Sequence, residues 1–155
     1  MTTPIAMATA AALRAAILDP LVGWPVEVLD VPEWGGPITV RSPSKDDKDF
    51  WLGELTALAD VQPEDDVDTR TRKFLSVPEA EHVKSHARLF VRVAFYRDED
   101  GRGKRLLSDI DVGDVAATFG PIHERVVAKA IEIGKLNVDP IEDGKNVPAE
   151  TQPSA

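Results

Sequence analysis

His82 and His86 come nearest, by type and spacing, to a metal site in this chain. Four residues apart on a helix, two imidazoles share a face, and zinc sites use that spacing. The sequence between them is Val83-Lys84-Ser85, so the glutamate that follows the first histidine in metalloproteases is missing. Lys84 puts a cation between the would-be ligands, and His123 is the only other imidazole. The pair is assigned to an exposed, polar helix face, and no metal is expected.

Asp98 to Asp109 invites a calcium test. With Asp98 as loop position 1, Asp100 falls at 3 and Gly103 at 6 of an EF-hand register. Position 5 is Arg102, position 8 is Arg105 and position 12 is Asp109 rather than glutamate. Guanidinium groups repel a cation, so the segment is read as a solvated turn between helices. The acidic groups Asp46-Asp47 and Glu64-Asp65-Asp66 lie at a helix start and in a polar loop, where water and the helix dipole keep carboxylates ionised. No GxGxxG or GxxxxGK[ST] occurs, and Gly101-Arg102-Gly103-Lys104 is too short for a phosphate loop. No catalytic residue, metal or cofactor is expected, and the chain is not read as an enzyme.

Composition agrees with a folded, non-catalytic protein. The 155 residues suffice for one domain with a core, and 43% apolar with 29% charged residues is a globular balance. The net charge of −9 opposes binding to nucleic acid or to an anionic membrane surface. There is no cysteine, which excludes disulfides and thiolate sites. No apolar run approaches the roughly 18 residues of a transmembrane helix. Residues 5–18 mimic a signal peptide, but they lack a basic start and Arg14 interrupts them.

The elements that would position these residues follow from capping and periodicity. A helix is expected over 4–18, opened by Pro4 and ended by Asp19-Pro20. Strands are expected at 26–31 and 37–41. A second helix, 45–59, takes Ser44 as N-cap and faces Trp51, Leu55 and Leu58 inward. Residues 60–73, acidic and then basic, read as an exposed loop. A third helix is assigned to 78–96 on the stripe Ala80, Val83, Ala87, Phe90, Val91, Ala94 and Phe95, with a strand over 88–96 as its competitor. Ser108 caps a short helix over 109–119, with Asp111 completing a capping box. A last helix spans 121–133 with Gly134 as C-cap. The block 1–138 is read as one domain and 139–155 as a loose tail.

Val28 to Arg41 reads as a β-hairpin reversing through Pro32-Glu33-Trp34-Gly35-Gly36. Two placements are open to Trp34: exposed at the tip as a binding hot spot, or folded back over the sheet. Trp51 is placed in the core, and Trp24 between the first helix and the sheet.

Three ordered features resemble the tail assembly chaperones of long-tailed bacteriophages. They are Val31-Pro32-Glu33-Trp34-Gly35-Gly36 followed by Ile38-Thr39-Val40-Arg41; the Asp-rich helix ending near Phe50 to Leu58; and Arg88-Leu89-Phe90-Val91-Arg92-Val93 leading through Asp98-Glu99-Asp100-Gly101 to Leu106-Leu107-Ser108-Asp109. Lys135-Leu136-Asn137 extends the likeness, while residues 60–78 depart from it as an acidic insertion. The resemblance implies a non-catalytic factor in the host bacterial cytoplasm that binds the tape measure protein, keeps it soluble and helps recruit tail tube protein. It also implies absence from the mature virion. Self-association is a further expected contact, whereas nucleic acid and membrane are not partners. The alternatives are a small structural virion component and a calcium-responsive module. The expected fold is α+β and mostly helical, with an N-terminal β-hairpin packed on a helical bundle. The expected partner-binding residues are Trp34, Gly35 and Trp51.

Overall fold

In the computed structural model, residues 9–135 are described. Helix α1 (Ala10–Leu18) leads to strands β1 (Val26–Val31) and β2 (Gly36–Arg41). Helices α2 (Lys45–Ala59), α3 (Val67–Leu75) and α4 (Glu79–Val93) follow. Strands β3 (Ala94–Arg97) and β4 (Gly103–Arg105) precede α5 (Val112–Thr118) and α6 (Pro121–Ile133). The strands form one antiparallel sheet in the order β1-β2-β3-β4. The α+β, mostly helical fold with an N-terminal hairpin is as expected. The expected boundary at 138 and the tail 139–155 lie outside the described residues.

The hairpin pairs Val31 with Gly36, and Pro32–Trp34 makes a 3-10 turn between them. Gly35 closes that turn at φ 85°, a left-handed conformation costly for residues with a Cβ. Inward residues Val31, Ile38 and Val40 join Ala87, Leu89, Phe90, Val91 and Val93 of α4 in the main core, and α5 and α6 add Val115, Val126, Val127 and Ala130. Helix α4 is therefore the central element, with one flank against the sheet and others against α2, α5 and α6.

Four expectations need correction. Of the first helix, expected over 4–18, residues 4–8 with Pro4 lie outside the described residues; the described helix begins at Ala10, where Thr9 has extended backbone and caps it by accepting from the Ala12 N–H at 3.1 Å. The loop expected over 60–73 contains α3. Its acidic-then-basic order complements the helix dipole: Asp66 caps the N-terminus through the Thr69 N–H at 2.7 Å, and Arg72 and Lys73 occupy the last turn. Lys73 also pairs with Asp65 at 2.6 Å, and Phe74 packs against Leu55, Ala59 and Val77. The third helix ends at Val93 rather than 96. Ala94 and Phe95 instead pair with Val40 and Thr39, since tertiary pairing outweighs a continued helical stripe. Asp98 to Gly101 consequently turns a hairpin between β3 and β4, not a pair of helices. A smaller difference is that Leu58 is exposed while Ala59 is buried; Gly134 is the C-cap of α6 as expected, with Lys135 after it in the left-handed conformation.

A buried carboxylate fastens α2 to this frame. Ser44 is the N-cap as expected, and with Asp47 it forms a capping box, each side chain accepting from the other's backbone N–H. Asp47 is 3% exposed and also accepts from Arg41 at 2.7 Å and Arg92 at 3.2 Å. Arg92 grips Asp109 with two bonds of 2.8 Å, reaches Asp46 at 2.8 Å and lies over the Phe50 ring. Burial alone would raise the Asp47 pKa. The Ser44 N–H, the Arg41 charge and the Arg92 and Arg41 hydrogen bonds outweigh it and hold the carboxyl below its ordinary value.

Candidate functional site

Trp34 adopts neither extreme open to it. The 3-10 turn tips its indole back over α4 and α6, yet the residue stays 41% exposed. Its ring meets Phe90 edge-on at 5.9 Å and His123 at 4.9 Å. His123 also lies 5.1 Å from Phe90 and stacks on Phe119 at 5.1 Å. Edge and stacked contacts of this kind fix ring orientation beyond what area burial does. On the polar side, Arg125 of α6 reaches the Asp30 carbonyl at 3.3 Å and Glu33 at 3.6 Å, tying the turn to the helix.

His123 is held as a neutral ring. Its Nδ1 accepts the Gly120 N–H at 3.0 Å, one of the unpaired donors at the start of α6, so the proton resides on Nε2. Burial lowers its pKa from the ordinary histidine value.

Two hollows open beside this cluster. One, about 250 Å³, is walled by Ile38, Phe90, Leu106, Leu107 and Val115. The other, about 210 Å³, is walled by Thr118, Gly120, Pro121 and Ile122. Trp34 and His123 line both, so the two rings form their common wall. The larger hollow is apolar on nearly every side and would accept a large aliphatic or aromatic side chain. Nothing lies within 4 Å of a Cβ built on Gly35, so that glycine serves backbone conformation rather than close packing.

The structure separates the other expected residues. Trp51 is partly buried against the main core, as read, but lines neither hollow. Its carbonyl accepts the buried Ser85 hydroxyl at 2.9 Å, which joins α2 to α4. Trp24 lies under the Arg41 guanidinium, 4.7 Å from ring centroid to Cζ. The histidines of α4 diverge: His82 meets the Phe74 carbonyl at 2.9 Å, and His86 meets Glu124 at 2.8 Å. That face is half-buried and joins α3 and α6, where sequence reading expected an exposed one. Asp98 turns its carboxylate onto the Asp100 and Arg102 N–H groups, and Asp109 is taken by Arg92 and Arg105. Neither aspartate is presented to a cation. No cluster of three His, Asp or Glu residues suited to a metal occurs among the described residues, and no described helix is long and apolar enough to cross a membrane.

His123 was missed as a site residue. Its signal was local: a histidine three residues after Gly120, behind a helix-starting Pro121, is placed to reach back to the cap N–H.

Comparison with known proteins places these features in a family. The family model for the phage tail assembly chaperone matches residues 12–146. Among solved structures, the bacteriophage HK97 tail assembly chaperone is similar at 21% identity and a TM-score of 0.48, covering 80% of this chain and 98% of that one. No curated protein gives a significant match.

Proposed function

The chain belongs to the phage tail assembly chaperone family, and from that premise we propose that it binds the tape measure protein of its phage and keeps it soluble while tail tube protein assembles. The role needs no catalysis. It acts in the host bacterial cytoplasm and leaves before the virion matures. The observation carrying this reading is the apolar hollow beside the half-exposed Trp34. A long amphipathic client exposes apolar stripes that aggregate. One stripe side chain seated beside Trp34 would be hidden, and the chaperone's net charge of −9 would keep complexes apart. Trp34 supplies the aromatic contact, Gly35 the backbone turn that aims it, and Trp51 braces α2 behind the cluster.

Co-expression with the tape measure protein of the same phage or prophage, followed by size-exclusion chromatography with light scattering, is the direct test. The expected outcome is a soluble complex carrying several copies of this protein per client. A client that stays insoluble, or this protein in purified tails, would overturn the reading. Trp34→Ala should weaken the complex by about thirtyfold, the effect of a ~2 kcal/mol hot spot. The same change should cost about 1–2 kcal/mol of fold stability, because the indole packs on Phe90 and His123. Binding is therefore compared at a temperature where both forms are folded.

A further inference from the structure

A hollow of about 410 Å³ opens between α1 and the β3–β4 hairpin, away from the residues around Trp34. Ala11, Ala15 and Leu18 of α1 make one wall, and Arg102 and Lys104 make another, with Arg14 beside them. On a chain of net charge −9, three cations converge on one cavity. None of the three has a carboxylate partner among the described residues. Asp19 also lines the hollow, but its carboxylate accepts the Leu21 N–H at 2.9 Å and the Gly103 N–H at 3.2 Å. Glu99 and Asp100 of the same hairpin do not line it.

Among the described residues, helix α1 has no element packed over it. It buries no side chain, and Leu13, Ile17 and Leu18 are 52%, 79% and 64% exposed. A helix of nine residues gains little stability from its own hydrogen bonds in water. A ligand that covered it would stabilise it.

We propose that this hollow is a docking site for an acidic, amphipathic segment of a partner protein. The segment's carboxylates meet Arg14, Arg102 and Lys104, and its apolar side chains lie on Ala11, Ala15 and Leu18. Charge complementarity selects the acidic character, because cations without a carboxylate partner among the described residues attract carboxylates and repel a basic segment. The apolar wall selects a peptide over a nucleic acid, whose phosphates would use the cations and leave Leu18 uncovered. The site is independent of the Trp34 hollow.

The probe is a fluorescent sixteen-residue synthetic helix with Leu at i, i+3, i+4 and i+7 spacing and Glu on its other face. Saturable binding that weakens with salt is expected. The combined variant Arg14→Glu, Arg102→Glu, Lys104→Glu should weaken it about tenfold or more, as three exposed ion pairs become repulsive. Leu18→Ser, at a residue that is 64% exposed, should weaken it severalfold. Trp34→Ala should bind as the parent does, which separates failure here from failure of the client reading. Hydrogen exchange should slow in α1 when the peptide is added. No binding, equal binding of a Ser-for-Leu peptide, equal binding of a Lys-for-Glu peptide, equal binding of a single-stranded oligonucleotide, or protection at the Trp34 turn instead of α1 would each overturn the proposal.

Discussion

Helices α1 and α4 use apolar residues in opposite ways. α4 buries Ala87, Leu89, Phe90, Val91 and Val93, whereas α1, with five alanines, two leucines and an isoleucine, buries nothing. Alanine favours a helix through propensity but brings little area to bury, while Leu, Phe and Val bring both area and shape. Position matters as much. α4 is enclosed by the sheet and by α2, α5 and α6, so even Ser85 and Arg88 are buried there and find partners in the Trp51 carbonyl and Glu54. α1 is the first described element, and its tethers among the described residues lie behind its C-terminus, where Asp19 accepts the Gly103 N–H and Leu21 sits against β4. Apolar content alone therefore does not decide which helix enters the core.

Paired substitutions can break this contrast. The largest effect is expected for Leu89→Ala in α4, at a cost of about 2–5 kcal/mol for a fully buried leucine. Leu18→Ala in α1 should cost less than about 0.5 kcal/mol. Urea unfolding measures both, and equal costs would mean that α1 folds as part of the core.

The anchors form a second pair. Asp47→Asn removes the carboxylate shared by Arg41 and Arg92 and should cost about 3 kcal/mol, the usual penalty for breaking a buried pair. Its pH signature has a definite sign. The folded pKa of Asp47 lies below the unfolded value, so its contribution is complete above the ordinary carboxylate value of 3.8 and is lost as pH falls through the folded value. Asp109, lowered chiefly by its Arg92 hydrogen bonds, follows the same sense. Acid titration of stability should be steeper in the parent than in Asp47→Asn; parallel curves would remove Asp47 from the account.

The smallest global effect is expected for Asp19→Ala, which frees the Gly103 N–H and the tether of α1. Faster hydrogen exchange confined to α1, with little change in melting temperature, is the expected result. A loss as large as that of Asp47→Asn would show that the tether supports the sheet itself.

Much of the fold was legible because its signals are local. Ser44 announces an N-cap, Gly120-Pro121 a helix start, and Pro32 to Gly36 a reversal, since each acts within a few residues of backbone. The stripe of α5 reads correctly for the same reason: Val115 is buried, and Val112, Ala116 and Phe119 pack on the core. α3 was hidden because its charges outnumber its apolar residues, although their acidic-to-basic order carried the helix signal. β3 was hidden because Ala94 and Phe95 continue a helical stripe and become a strand only where β2 offers its open edge. Of the site, Trp34 and Gly35 were legible as a turn with an aromatic. His123 offered only a local cap signal, and nothing in sequence brings residue 123 to residue 34.

By itself the sequence determined the caps at Ser44, Ser108 and Gly134, the hairpin, the inward faces of α5 and α6 and the family motifs from Val31 to Asp109. These depend on backbone conformation and short-range periodicity. Tertiary structure alone decided that Trp34 would share a wall with His123, that Asp47 would hold two arginines from different elements, and that α1 would sit beside Arg102 and Lys104 without burying a side chain among the described residues. Those outcomes depend on which surfaces meet when residues far apart in the chain compete for the same buried space, and no local pattern encodes that competition.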